Sequence, residues 1–169
     1  MLHRLTSAVL VLLLATATGT IAEEPGVSAP PGAKLLLEVE AQGVQIYACT
    51  KRSDGYHWVF KAPDAALFDT AGRQVGTHFA GPAWQLADGS KIVAEVVAQA
   101  SAPDPHAIAW LLLRVKSHEG SGILTEVDFV RRVDTQAGMA PAEPCDAAQA
   151  LTEARMRYTA RYLFYAIPK

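Results

Sequence analysis

The chain has 169 residues, half of them hydrophobic, and its 15 basic and 17 acidic side chains give a formal net charge of −2 at pH 7. This weakly acidic balance argues against a protein that binds nucleic acid or an anionic membrane surface, because both need a basic face. The length predicts one domain that can bury a substantial core.

Residues 1–22 have the pattern of a secretory signal peptide. A short segment with His3 and Arg4 precedes an apolar run, and small residues follow it up to Ala22. We therefore expect an exported protein, located in the periplasm or outside the cell. The apolar run is shorter than the roughly 20 residues that a transmembrane helix needs, and no later stretch approaches that length, so we predict no transmembrane segment.

The next segment, residues 23–33, is rich in proline and glycine and is predicted to be a mobile N-terminal segment. From Lys34 onwards the hydrophobic pattern has a period of two, which is typical of strands. Segments 34–41 and 44–50 are predicted to form a hairpin around a turn at Gln42 and Gly43, and Pro63 is expected to end the strand that follows. Further strands are predicted at 56–61, 74–79, 84–87, 91–98, 108–118, 123–133 and 156–165.

Residues 146–155 are the one segment with helical character, and Asp146 is its possible N-cap. In the last predicted strand, Tyr158, Tyr162 and Phe164 share one face and are interpreted as a core stripe. Many short strands with turns between them predict an all-β, mainly antiparallel fold. We expect a single-domain β-sandwich or partly closed barrel over residues 34–169, with one short helix before the last strand.

The chain contains two cysteines, Cys49 and Cys145. Export permits a disulfide, and two cysteines allow only one intramolecular pairing. Closing a loop of nearly 100 residues stabilises the fold by about 4.7 kcal/mol in the chain-entropy model, which is an upper figure. The other interpretation, a reactive or metal-binding thiol, lacks a CxxC spacing or a neighbouring basic cluster.

The loop at residues 76–84, with the turn at 88–90, is the best candidate for a binding site, because loops that enter hairpins often display sites on β scaffolds. Four side chains are predicted to bind a ligand there: His78, Phe79, Trp84 and Asp88. For His78 the alternative is a histidine that hydrogen-bonds the backbone and holds the loop. For Trp84 the alternatives are a face that stacks on a flat ligand and a buried core residue.

No motif in the sequence indicates a metal, a cofactor or a catalytic centre. His57, His106 and His118 are scattered singly, whereas zinc and copper sites need three or four donors close together. A nucleophile elbow of the form GxSxG is missing around Ser90. We therefore predict no metal and no cofactor, and catalytic residues are not assigned.

Several ordered motifs resemble domain-of-unknown-function family 3455. They lie along nearly the whole chain after the predicted signal peptide: residues 43–49, Trp58, 63–67, 76–82, Trp84, 88–90, 110–113, Arg132 with Val133, Pro144 with Cys145, and 158–165. Ala83 and Ala109 stand where the family pattern has threonine and proline. The resemblance implies a secreted bacterial or fungal protein whose activity is unassigned.

These observations lead to three hypotheses of different kinds. The first is an exported, disulfide-stapled β domain that binds a small molecule or a component of the cell envelope. The second is an extracytoplasmic enzyme or metalloprotein with a site around His78. The third is a purely structural component of the envelope, which would bind no small molecule.

Overall fold

The computed structural model describes residues 26–169. The predicted signal peptide and the first residues of the predicted mobile segment therefore lie outside the described residues. Residues 26–169 contain no helix that is long and apolar enough to span a membrane.

Eight antiparallel strands form one closed barrel in which each strand pairs with the next and the last pairs with the first. They are β1 Lys34–Arg52, β2 Gly55–Phe68, β3 Gln74–Phe79, β4 Ala83–Leu86, β5 Lys91–Ala100, β6 Trp110–Glu119, β7 Phe129–Ala137 and β8 Glu153–Ala166. The predicted all-β antiparallel class is confirmed, and the ring of strands is complete rather than partly closed.

The predicted turn at Gln42 and Gly43 is wrong, because β1 runs through both residues without a break. Gly43 is needed for a close approach between strands. A Cβ atom at this position would lie 2.2 Å from the carbonyl oxygen of Asp64 and 2.6 Å from the Cβ of Ala65, so only glycine lets β1 and β2 pack this tightly. The first hairpin turn comes instead between Arg52 and Gly55.

The prediction that Pro63 ends a strand is also wrong. Pro63 lies inside β2 and is paired with Gln45 of β1. On its other side β2 has no strand beside it until Ala65, where the pairing with β3 begins. A strand tolerates proline where one edge is unpaired, because no ladder hydrogen bond is lost there.

The predicted helix at 146–155 is reduced to a single 3-10 turn, Ala147–Gln149. Asp146 is its N-cap, and a reciprocal bond from its N–H to the Gln149 side chain completes a capping box. The turn cannot extend, because the Leu151 N–H already donates to the carbonyl of Cys49 and the chain enters β8 directly. A second 3-10 turn, Ile123–Glu126, occupies the start of the predicted strand 123–133, so that β7 begins only at Phe129.

The main core fills the end of the barrel where all eight strands are present. The predicted core stripe of β8 belongs to it: Tyr158, Tyr162 and Phe164 are 3%, 1% and 0% exposed. A smaller cluster lies outside the wall, where Val27 packs on Trp110 and neighbouring side chains of β7 and β8. Val27 belongs to the segment predicted to be mobile, and whether that segment moves stays a prediction.

The Cys49–Cys145 disulfide is confirmed, with its Cα atoms 6.0 Å apart. It connects β1 to the segment that precedes β8. Close to it, the indole N–H of Trp58, which is paired with Cys49 across the β1–β2 ladder, donates to the carbonyl of Glu143 at 3.1 Å.

Candidate ligand-binding cavity

The barrel wall has a lateral opening because β3 and β4 are much shorter than their neighbours. β2 pairs with β3 only from Ala65 onwards, and β5 contacts the β3–β4 hairpin only as far as Ala94, whose N–H donates to the carbonyl of Pro82. Residues 55–64 of β2 and 95–100 of β5 therefore stand on the two sides of a gap. The β3–β4 turn, residues 80–82, closes one end of this gap.

A cavity of about 240 Å³ opens through this gap into the barrel. Its rim includes Phe60, 52% exposed, and Val96, 49% exposed, together with Lys61 and Gly81. The walls and floor are formed mainly by apolar and aromatic side chains, among which a few polar groups are placed. Those lining residues are Gln45, Pro63, His78, Pro82, Trp84, Leu111, Leu113, Arg132 and Tyr162.

His78 lies in the floor of the cavity and is 3% exposed. It is paired with Trp84 across β3 and β4, and the two rings stack with centroids 4.4 Å apart and an angle of 11° between their planes. Nδ1 lies 2.8 Å from the carbonyl oxygen of Ala83. Because a carbonyl can only accept, Nδ1 carries the proton and Nε2 keeps a free lone pair.

Burial lowers the pKa of His78 to about 3; the Ala83 carbonyl opposes this shift, and the positive charge of Arg132 adds to it. His78 is therefore neutral at ordinary pH. Its imidazole can accept a hydrogen bond through Nε2 but contributes no charge to the cavity.

Arg132 is the charged group inside the barrel. It lies on β7, and its Nε and Nη2 atoms donate to the carbonyl of Ala109 at 3.1 and 2.8 Å. Within the part of the chain that the structure describes, its guanidinium forms no ion pair. Arg132 is half-buried, and a cation without a counter-ion at such a site attracts an anion.

Three further donors that belong to lining residues have no hydrogen-bond partner among residues 26–169. They are Nε2 of Gln45, Nε1 of Trp84 and the hydroxyl of Tyr162. Burial raises the pKa of the Tyr162 hydroxyl, against the influence of Arg132, so this group remains protonated. Leaving a buried donor unpaired costs about 1–3 kcal/mol. These three atoms have almost no accessible surface, so they lie behind the cavity surface rather than on it.

The geometry can now be compared with known proteins. The family described as Protein of unknown function (DUF3455) matches residues 30–166. The chain belongs to this family. No curated protein and no solved structure matches it. The matched range includes all eight strands, so the disulfide and the cavity are both parts of the DUF3455 domain.

The DUF3455 domain places two of the four predicted ligand-binding residues on the cavity, His78 and Trp84. The backbone hydrogen bond expected of a structural His78 is present as well, so one side chain both holds the loop and lines the cavity. Trp84 is fully buried at 0% exposure, and one side of its ring is covered by the imidazole. Whether either residue binds a ligand stays a prediction.

Phe79 and Asp88 do not line the cavity of the DUF3455 domain. Phe79 follows His78 on β3, so its side chain lies on the opposite face of the strand. The Asp88 carboxylate accepts hydrogen bonds from the Ser90 hydroxyl at 2.6 Å, the Ser90 N–H and the N–H of Ile123, and these bonds, the Ser90 hydroxyl first, lower its pKa. Asp88 thereby joins the β4–β5 turn to the 3-10 turn before β7.

The remaining histidines lie in separate places. His57 contacts the Asp54 carboxylate in the first hairpin, and Nε2 of His118 bonds the carbonyl of Val127. Over the described range 26–169, no three His, Cys, Asp or Glu side chains come together in a way that could hold a metal ion.

Sequence reasoning missed Gln45, Arg132 and Tyr162 as residues of the candidate site. Tyr162 was interpreted only as core. Parity on β7 did not distinguish Arg132 from Arg131, because Arg132 shares one face with apolar Val130 and Arg131 shares the other with apolar Val133.

Proposed function

We propose that this protein is an exported binding protein that holds one small, largely apolar molecule in the cavity behind the lateral opening. The observation that carries the proposal is the cavity itself, which is preformed, mostly apolar and reached through a gap in the wall between β2 and β5. Such pockets, with a few placed polar groups, are the usual form of small-molecule sites.

The barrel type supports this function. Eight-stranded barrels have an interior that side chains can fill or that can hold one small ligand. Here the packed core occupies one end, and the cavity lies near the other, where β3 and β4 do not reach. The volume corresponds to about eight water molecules at ~30 Å³ each, which suits one ring or a short chain.

Export is supported by two features that do not depend on the cavity. Residues 1–22 have the pattern of a signal peptide. The Cys49–Cys145 disulfide also fits an oxidising compartment such as the periplasm or the extracellular space.

The proposal is tested by closing the opening. Val96 lies on the rim, paired with the buried Leu113, whereas Val97 is similarly exposed at 45% and does not line the cavity. Val96→Trp should fill the opening, and Val97→Trp is the matched control. Binding of benzyl alcohol, benzamide and benzoate is measured by ligand-observed NMR with titration.

We expect saturable binding of at least one probe to the native protein and to Val97→Trp, weakened at least tenfold in Val96→Trp. No saturable binding of any probe to the native protein would overturn the proposal. So would equal binding to both tryptophan variants, since the probe would then lie outside the cavity.

A further inference from the structure

We infer that the ligand is a small carboxylic acid, bound with its carboxylate on Arg132 and its apolar body against the aromatic floor of the cavity. This inference rests on the proposed function and adds the chemical class of the ligand. It follows from the charge and the shape of the cavity together.

The charge of the lining is positive and uncompensated. Arg132 and Lys61 are its ionised side chains, and no aspartate or glutamate is among the lining residues that the structure describes. Lys61, at the rim, is already paired with Glu153 at 2.5 Å. Among the described residues Arg132 has no acidic partner: its guanidinium donates to the neutral carbonyl of Ala109 and lies beside the Tyr162 hydroxyl, so its charge is available to a ligand.

The guanidinium also has donor capacity left. Its bonds to Ala109 use Nε and Nη2, so the N–H groups of Nη1 are not used by that carbonyl. A planar guanidinium suits a carboxylate, whose two oxygens offer about four acceptor sites. A neutral alcohol or amide could accept a bond but would leave the charge without a partner.

Neighbouring donors add little to this charge. Nε2 of Gln45, Nε1 of Trp84 and the hydroxyl of Tyr162 are fully buried, so a ligand in the cavity would reach them only if these side chains moved. His78 is neutral, so it does not compete for the carboxylate as a second cation.

The shape of the cavity limits the apolar part of the ligand. Trp84 stacks on His78, and Tyr162 meets both rings edge-on, with centroids 5.4 and 5.0 Å away. Leu111 and Leu113 complete an apolar surface that suits one ring or a short branched chain. The ligand class is therefore a monocarboxylic acid with an apolar body of about this size.

The experiment compares benzoate with benzamide, which has nearly the same shape and no charge, and with benzyl alcohol. Dissociation constants are measured for the native protein, Arg132→Gln and Arg114→Gln. The second variant is the matched control. Arg114 is exposed on β6 and pairs with Glu95 outside the cavity, and its substitution removes the same charge as Arg132→Gln. A thermal melt of each variant verifies folding.

We expect the native protein and Arg114→Gln to bind benzoate at least tenfold more tightly than benzamide, and Arg132→Gln to lose this preference. Equal affinities of the native protein for benzoate and benzamide would overturn the inference while leaving the proposed function intact. This comparison needs no variant and so remains valid if Arg132→Gln fails to fold. Failure of all three probes on the native protein would instead overturn the proposed function.

Discussion

Removing the Cys49–Cys145 disulfide should destabilise the protein more than any single side-chain contact does. The bond joins residues 96 positions apart. In the chain-entropy model, closing a loop of this length removes about 16 cal/mol/K from the unfolded chain, which is about 4.7 kcal/mol at 25 °C. Because the model neglects residual structure in the unfolded state, which lowers the figure, we expect a measured loss of about 3–4.7 kcal/mol.

The assay is urea unfolding followed by tryptophan fluorescence, for the native protein and for the double variant Cys49→Ala with Cys145→Ala. Both cysteines are buried, at 1% and 6% exposure, and alanine is accommodated without a new polar group. With a slope of about 2 kcal/mol per M, the expected loss moves the midpoint by about 1.5–2.5 M urea.

Reduction provides the control. Adding a thiol reductant should bring the native protein close to the double variant and should leave the double variant unchanged. A difference between the oxidised protein and the double variant of less than about 1 kcal/mol would refute the argument, since loop closure would then contribute little to stability.

Two other predictions concern His78 in the candidate site and the close approach of β1 and β2 at Gly43. His78 has a folded pKa of about 3, below its ordinary value of 6.5, so its contribution to stability is fully present above pH 6.5 and is lost as the pH falls towards 3, at up to ~1.4 kcal/mol per pH unit. Between pH 7 and pH 5 the native protein should therefore lose about 2 kcal/mol more than His78→Gln in urea unfolding, and parallel pH profiles would contradict the assigned burial effect. Gly43→Ala should destabilise the barrel by about 1–3 kcal/mol or more, because the new Cβ meets the backbone of Asp64. Gly72→Ala has room for the new Cβ but a φ of +75°, so it should lose about 1–2 kcal/mol through backbone strain alone, and a smaller loss for Gly43→Ala would disprove the close-approach argument.

Much of the fold could be predicted from local patterns. The bounds of β3 agree with the predicted strand, and the alternation in β8 identified the core face that Tyr158, Tyr162 and Phe164 form. Alternation is a reliable signal because each strand residue has one face determined by its parity. The disulfide could be predicted for a different reason, since two cysteines leave a single pairing.

The errors have a shared physical cause, which is that the deciding contact is distant in sequence. Glycine serves both turns and close approaches, and Gly43 could be assigned to the second role only once Asp64 was known to lie against it. Pro63 could remain in a strand only because β3 is too short to reach it.

The same limit explains why half of the candidate site was missed. The loop around His78 carried an evident local signal, whereas Arg132 comes from a strand more than 50 residues later. A cavity is a property of what several strands leave unfilled, and no single segment contains that information. Only the closed barrel shows which of the two adjacent arginines on β7 lines the cavity.

The contact between Trp58 and Glu143 gives the disulfide a second consequence, in the folded protein. The half of β2 that borders the opening has a strand on one side only, β1. Its other support comes from the segment before β8, which Cys145 anchors to β1 two residues after the carbonyl that receives the Trp58 N–H. The disulfide therefore holds in place the segment that contacts this half of β2, and so supports one side of the opening from outside the cavity.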